Sequence, residues 1–368
     1  MPVPFKKALF WKKSIFKTVQ CQLCPRNCKI AENQKGFCRV KENIQGNLYS
    51  LVYGKPCSVN VDPIEKKPLF HFAPGTQCLS IATVGCNLNC KFCQNWEISR
   101  AEEITENEVG GFLAPQTFVG SPQAPKGCDE MNPEAVVEFA KKYNVPGIAY
   151  TYTEPTIALE YYLDIMKLAR KEGLYNIWVS NGYINPLPAK KAARFLDAIN
   201  MDLKGDSFFY QSLCGVPNEN PMKNALKIYK ENGVWIEITN LLIPGFNDKK
   251  NHIEKLVKWV KSNLGIETPI HFSRFYPQYK MVNKEKTPLE TLKMAANVAD
   301  DLSMWHVYLG NIQKNAREST YCPHCGKLVI ERFGYKIMKM NLKSLNKKNW
   351  KKPNYMCNFC GKKLLIFG

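Results

Sequence analysis

The chain has 368 residues, long enough for one large catalytic domain with smaller appendages and a core that needs no cross-links. Its 51 Lys and Arg against 32 Asp and Glu give a formal charge of +19, which invites an acidic or nucleic-acid partner, although the lysines are spread along the whole chain. No long apolar run occurs, and the basic start MPVPFKKALFWKK has no apolar stretch behind it. A membrane span and a secretory signal are therefore not expected, and the fifteen cysteines are expected to be the reduced, metal-ligating thiols of a cytoplasmic protein.

Eleven of those cysteines fall into three groups. The first is Cys21, Cys24 and Cys28 in CQLCPRNC with Cys38 beyond them, four thiolates whose spacing suits zinc or an iron–sulfur cluster equally. They define an N-terminal cysteine-rich metal-binding region over 1–75. The strand CLSIATVG then runs into GCNLNCKFCQNW, which carries Cys86, Cys90 and Cys93. Three thiolates at this spacing hold three irons of a 4Fe-4S cubane and leave the fourth iron open to an outside ligand. A zinc knuckle borrowing Cys78 or Cys128 is the competing reading, but zinc favours CxxC pairs. Cys57, Cys78, Cys128 and Cys214 are expected as small buried hydrophobes.

From Leu79 to Asn311 strands and helices alternate, the signature of parallel βα units. An irregular stretch over Ala101 to Glu130, rich in Gly, Pro and acidic residues, reads as a long insertion. A helix opens at Asn132-Pro133-Glu134 with cap, proline and acidic first turn in order, and leads into the strand GIAYTYTEP. The helix TIALEYYLDIMKLARKEG stops at Gly173. Strands follow near YNIWVSNG, AINMDLKG, VWIEITNLLIPG, PIHFSRFYP and WHVYLGN. The expected fold is an α/β, partial (β/α)6-type barrel over 76–312 with small cysteine-rich metal-binding modules at both ends; a full eight-fold barrel is the alternative.

In such a barrel the chemistry sits at the C-terminal ends of the strands. The polar residues gather there: Glu154, Ser180 and Asn181, Asp202 and Lys204, Asn240, and Arg274. Asp202 and Lys204 are two apart and face the same side of their strand, so they could equally form a simple ion pair. His271, Arg274, Tyr276 and Asn311 are candidates for substrate contact. The last group, Cys322, Cys325, Cys357 and Cys360 in CPHCG and CNFCG, is a zinc-ribbon pattern over 313–368, with iron in a rubredoxin-like site as its rival. Between its two pairs the stretch from Lys336 to Lys352 is strongly basic, either a solvated loop or an RNA contact.

The Cys86, Cys90 and Cys93 pattern resembles the hallmark of the radical SAM superfamily, over about Ser80 to Asn311. The resemblance implies S-adenosylmethionine (SAM) on the open iron and an electron that splits it into methionine and a 5'-deoxyadenosyl radical, which takes a hydrogen atom from a substrate. It implies that Phe92 packs on the adenine and Glu154 accepts the SAM ammonium, although the usual Gly-Gly-Glu-Pro reads Tyr152-Thr153-Glu154-Pro155 here. Ser180 and Asn181 would meet the ribose or carboxylate. Asp202 and Lys204 in MDLKG resemble the Asp-Leu-Lys of activating enzymes that help organise SAM, and the corner at Pro244 and Gly245 would support adenine.

Taken with CQLCPRNC, GFCRV, DPIEKKPLFHFAPGT, AYTYTEPT, HFSRFYP and YCPHCG, the chain closely resembles the radical SAM enzyme of the AmmeMemoRadiSam system, which is related to pyruvate formate-lyase activating enzymes. That implies a low-potential electron donor such as ferredoxin or flavodoxin. It also implies functional partners of the dioxygenase-like and AMMECR-type families. It leaves the substrate open, protein-bound or small. The alternative function is a zinc-ribbon RNA-binding or RNA-modifying protein.

Overall fold

The computed structural model describes residues 5–100, 130–312, 315–345 and 350–368. The insertion expected after Arg100, with Cys128 in it, lies outside the described residues except at Glu130, as do residues 346–349 of the basic stretch. The main sheet has eight strands, and they fall four to each of two compact units.

The first unit runs to Asp62 and adds Cys78–Asn89 and Cys93–Leu196. Its sheet strands are β1 (Ser58–Pro63), β2 (Gln77–Ala82), β3 (Gly147–Tyr150) and β4 (Tyr175–Ser180). β2, β3 and β4 pair in parallel, with Leu79 opposite Ile148 and Ile148 opposite Asn176. Parallel strands covered on both faces read as continuous apolar runs, and every residue of β2 and β3 beyond Gln77 is buried. Helix α1 (Pro133–Lys142) begins as its sequence predicts, Asn132 Oδ1 accepting from the Ala135 amide at 2.8 Å. Helix α2 (Leu159–Lys171) buries an apolar face and gives way to Gly173 at φ +74°, a conformation that costs glycine little. Helix α3 (Pro186–Ala193) follows β4.

Two small antiparallel sheets precede β1 in this unit. One pairs Lys6–Lys7, Asn47–Ser50 and Lys41–Ile44; the other pairs Trp11–Lys13, Val19–Cys21 and Lys29–Ile30. They are tied to α2 by an ion pair in the interior, Lys41 with Glu160, both side chains about 1% exposed. Glu160 also accepts the Leu9 amide at 2.7 Å.

The second unit comprises Pro63–Gln77, Cys90–Phe92 and Asp197–Gly368. It contributes β5 (Ala198–Asp202), β6 (Trp235–Leu242), β7 (Ile270–Arg274) and β8 (Val307–Gly310), all parallel, with helices α4 (Asn220–Glu231), α5 (Lys250–Leu264) and α6 (Leu289–Asp301) in the connections. The result is an α/β partial barrel flanked by small antiparallel modules, the architecture that the alternating elements predict. Near the starts of β6 and β7 a buried carboxylate serves four donors. Glu237 accepts the amides of Phe70 and His71, the indole of Trp235 and His271 Nε2, the last at 2.8 Å. His271 is thus committed at the second residue of its strand, away from the strand end, which removes it from the substrate candidates. A buried carboxylate needs such partners to offset its lost hydration.

His71 and His306 pack against each other in the same interior, ring centroids 4.2 Å apart and planes tilted by 55°. Burial lowers the His306 pKa from 6.5 to about 4, against an opposing pull from Glu237, and burial drives His71 well below its ordinary value too. Both rings stay neutral in the folded chain while the unfolded chain takes up protons below about pH 6.5, so the unfolded state binds more protons and stability rises with pH. His306 should therefore contribute fully above about pH 6.5 and lose up to about 3 kcal/mol of that contribution as the pH falls toward 4. Urea midpoints measured across this window should flatten in His306→Phe; an unchanged slope would refute the assignment.

Candidate active site and metal centres

In the first unit the polar residues at the ends of β3 and β4 converge on one carboxylate. Glu154 caps the 3-10 turn Pro155–Ala158 and is 2% exposed. Its Oε1 accepts from the Thr156 amide at 3.0 Å and from Ser180 Oγ at 2.9 Å, and its Oε2 accepts the Asn181 amide at 2.8 Å. Burial raises its pKa, and the hydrogen bonds from Thr156, Asn181 and Ser180 pull the other way. Oε1 takes a third donor, Thr156 Oγ1 at 2.5 Å, whereas the Asn181 amide is the one donor to Oε2 among the described residues, which leaves that oxygen capacity for another.

Asn181 joins this carboxylate to the cysteine loop. While its backbone amide serves Glu154, its side-chain Nδ2 donates to Asn87 Oδ1 at 2.9 Å and lies 3.7 Å from Cys86 Sγ. Asn87 in turn donates to the Tyr183 carbonyl at 2.7 Å. The Leu88 amide is 3.5 Å from Cys86 Sγ, and the Cys93 thiol meets Ser99 Oγ at 3.4 Å. N–H donors aimed at sulfur favour the thiolate and tune the potential of an iron–sulfur cluster. The donor set around Cys86 fits such a cluster on its chemistry: soft sulfur ligands with amides pointed at them.

In the second unit Cys90 and Phe92 meet the residues that follow β5. Asp202 and Lys204 form the ion pair open to them, Nζ to Oδ2 at 2.6 Å. Burial works against the charge on Lys204, but Asp202, then Cys90, Cys214 and Tyr210, more than offset it and raise its pKa. Phe92 packs edge-on against Phe209 with centroids 5.7 Å apart, and Lys204 Nζ is 5.6 Å from the Phe92 ring. The amide of Lys91 donates to the Leu213 carbonyl at 2.9 Å, on a π-helical turn over Tyr210–Cys214. Such turns are rare and are common at functional sites. This one brings Cys214 to Cys90: a hydrogen bond between the two thiols, and then burial, raise the Cys90 pKa. Asn240 Nδ2 is taken by the Leu203 and Lys204 carbonyls. Arg274, Tyr276 and Asn311 do meet at their strand ends, Asn311 Nδ2 donating to the Arg274 carbonyl and Tyr276 Oη to the Asn311 carbonyl, both at 3.1 Å.

The C-terminal cysteines, also in the second unit, form a closed tetrad. Among the described residues they are the metal-ligand group whose donor atoms all lie within 4.8 Å of one another. Cys322 and Cys360 are 3.7 Å apart and Cys325 and Cys357 3.8 Å apart. The two knuckles repeat one design. The Cys322 amide donates to the Lys327 carbonyl and the Gly326 amide to Cys322, each at 2.9 Å, and Cys357, Lys362 and Gly361 repeat both bonds at the same length. Gly326 and Gly361 both sit at φ +69°.

A model of the radical SAM superfamily matches residues 80–260. The chain is 42% identical to the uncharacterized protein MJ0808 of Methanocaldococcus jannaschii over 361 residues, 98% of this chain and 99% of that protein. The chain belongs to the radical SAM superfamily. It is an enzyme of that superfamily related to activating enzymes: the pyruvate formate-lyase-activating enzyme of Clostridium pasteurianum is 22% identical over 189 residues, 50% of this chain and 69% of the relative. A solved radical SAM methyltransferase from Sphaerobacter thermophilus aligns over 70% of this chain and 71% of its own, with 14% identity and a TM-score of 0.47. Membership implies a 4Fe-4S cluster and SAM for this radical SAM enzyme, and a metal at the C-terminal tetrad matches its geometry. Among the described residues no helix is long and apolar enough to cross a membrane.

Proposed function

We propose that this radical SAM enzyme holds its catalytic cluster on Cys86, Cys90 and Cys93 and generates a 5'-deoxyadenosyl radical that abstracts hydrogen from a protein-bound or small-molecule substrate. The observation that carries the reading is Asn181, whose backbone binds Glu154 while its side chain reaches Asn87 and Cys86. One residue thereby fixes both the sulfur side and the proposed SAM side of the site. A bound cluster supplies one electron at low potential, and bound SAM supplies the carbon–sulfur bond that this electron breaks. Glu154 Oε2 then offers its spare acceptor to the SAM ammonium, and Phe92 offers its ring to adenine. Asp202 holds Lys204 in place beside Phe92.

The sequence resemblance favours the AmmeMemoRadiSam branch, with dioxygenase-like and AMMECR-type partners and a ferredoxin or flavodoxin donor in the cytoplasm. The deciding experiment is anaerobic. Reconstituted protein is reduced with dithionite in the presence of SAM, and 5'-deoxyadenosine is quantified. Formation above a no-SAM blank supports the proposal; an intact cluster with no product, even with the two partner proteins added, would sink it.

The C-terminal tetrad suits zinc. Thiolates that share one zinc at bond lengths of about 2.3 Å stand about 3.8 Å apart, which supports that metal over a wider cluster. Cys357→Ser should release one equivalent of zinc per chain while leaving the iron content unchanged. Loss of iron instead, measured by plasma emission, would point to a rubredoxin-like site. An RNA-binding reading draws on the hairpin here, where Phe333 and Tyr335, each 53% exposed, stand beside Lys336. Aromatic and basic side chains on one surface are what single-stranded RNA uses; tRNA binding that ignores salt would dismiss it.

A further inference from the structure

The four N-terminal cysteines are arranged unlike the C-terminal four. Cys21, Cys24, Cys28 and Cys38 line one small cavity, of about 20 Å³, together with Arg26 and Lys41. Three of the thiols accept a backbone hydrogen bond from two residues on, Cys21 from Leu23, Cys24 from Arg26 and Cys38 from Val40. Cys86 has the same arrangement with Leu88, and Cys322 with His324. Amides directed at sulfur in this way prepare a loop for thiolates. Four such groups around one cavity call for a cation to share them.

Which metal they share follows from spacing. Thiolates on one zinc sit about 3.8 Å apart, and among the described residues only the C-terminal tetrad gathers three or more ligand atoms within 4.8 Å of one another. No three of the N-terminal sulfurs meet that limit, so they stand wider apart around their cavity. Thiolates at the corners of a cubane each bind a different iron and are necessarily further apart than thiolates on a single ion.

The cavity also abuts the loop of the proposed catalytic cluster, within the same unit. Asn87 lines it. Arg26 Nε donates to the Asn87 carbonyl at 2.6 Å, and the Arg26 guanidinium lies 3.3 Å from the centroid of Phe37, the neighbour of Cys38. Gly85, which precedes Cys86, has φ +95°, and a Cβ there would fall 2.6 Å from the Cys38 carbonyl oxygen. Cys38 is therefore in backbone contact with the residue before Cys86.

We propose that Cys21, Cys24, Cys28 and Cys38 bind a second 4Fe-4S cluster, seated against the loop that carries Cys86. The inference does not depend on SAM cleavage, and metal content tests it directly. The full chain, reconstituted anaerobically with iron and sulfide and desalted, should carry about eight irons, two cubanes' worth, and one zinc. Cys24→Ala should halve the iron and leave the zinc. The triple variant of Cys86, Cys90 and Cys93 to alanine should also halve it, the remaining cluster being the N-terminal one. When both clusters of the parent are reduced, their electron paramagnetic resonance signals should broaden by mutual coupling, and each variant should lose that broadening. About four irons with two zincs in the parent, or a triple variant devoid of iron, would overturn the proposal. If instead all the iron of the parent survived in the triple variant, the catalytic assignment would fall and the N-terminal one would stand.

Discussion

Replacing Cys90 with alanine should cut 5'-deoxyadenosine formation at least about a thousandfold, roughly 4 kcal/mol of barrier or more, while Cys214→Ala keeps both the cluster and most of the activity. The two thiols are hydrogen-bonded to each other, so the pair is a stringent test of ligand identity. Cys214 is fully buried and Cys90 partly so, and deleting either removes one small apolar side chain. Stability alone would then make the two variants alike. A cluster with its ligands at Cys86, Cys90 and Cys93 makes them different, because removing a ligand leaves an iron without a thiolate, whereas removing Cys214 takes away only a neighbour of one. Visible absorbance near the iron–sulfur band and product yield, measured on both variants, check this. Parallel loss of iron in Cys214→Ala would mean that the fourth thiol is also a ligand and that no iron is open to SAM.

The second large effect concerns the fold. Lys41→Ala should lower the stability of the first unit by about 3–5 kcal/mol, the range for removing one partner of a buried ion pair. Glu160 would be left with 1% of its side chain exposed and, among the described residues, the Leu9 amide as its remaining hydrogen-bond partner. Replacing both residues, Lys41→Met with Glu160→Leu, should recover much of the loss, since two apolar side chains of similar length need no hydration. Urea unfolding followed by circular dichroism on the three proteins distinguishes this from loss of packing, in which case the double variant would be no better than the single. Lys41 also lines the cavity of the N-terminal cysteines, so iron content should be recorded alongside.

Much of this architecture was legible in local sequence. The Asn132-Pro133 start of α1, the Gly173 stop of α2 and the two CxxCG knuckles each involve residues within a turn of one another, so spacing alone specifies them. The resemblance at Cys86, Cys90 and Cys93 pointed to the superfamily for the same reason. What the sequence left open is set by contacts between distant segments. Asn181 to Asn87 spans 94 positions, and an Asn-Gly pair at a strand exit reads equally well as a turn. Cys214 lay among the cysteines expected to be merely buried, and the π turn that carries it to Cys90 has no sequence signature. His271 was a candidate because it lies on a strand of the barrel, but its position one residue from the strand's start places it with Glu237. The metal at the N-terminal four could not be read from ligand spacing, since zinc and clusters use the same cysteines; the separation of the sulfurs in space carries that information.

The contact between Gly85 and Cys38 bears on how such a protein can change over time. A side chain at position 85 would collide with the main chain of the N-terminal region, and the main chain cannot rotate aside as a side chain can. The two cysteine loops are thus cut to one another's shape, atom against atom. A foreign N-terminal module could not be spliced in front of β1 without recarving the segment that leads into the Cys86 loop, and a longer residue at 85 could not be accepted without first moving the module. Exchange of parts between relatives should therefore respect this seam, carrying both loops together.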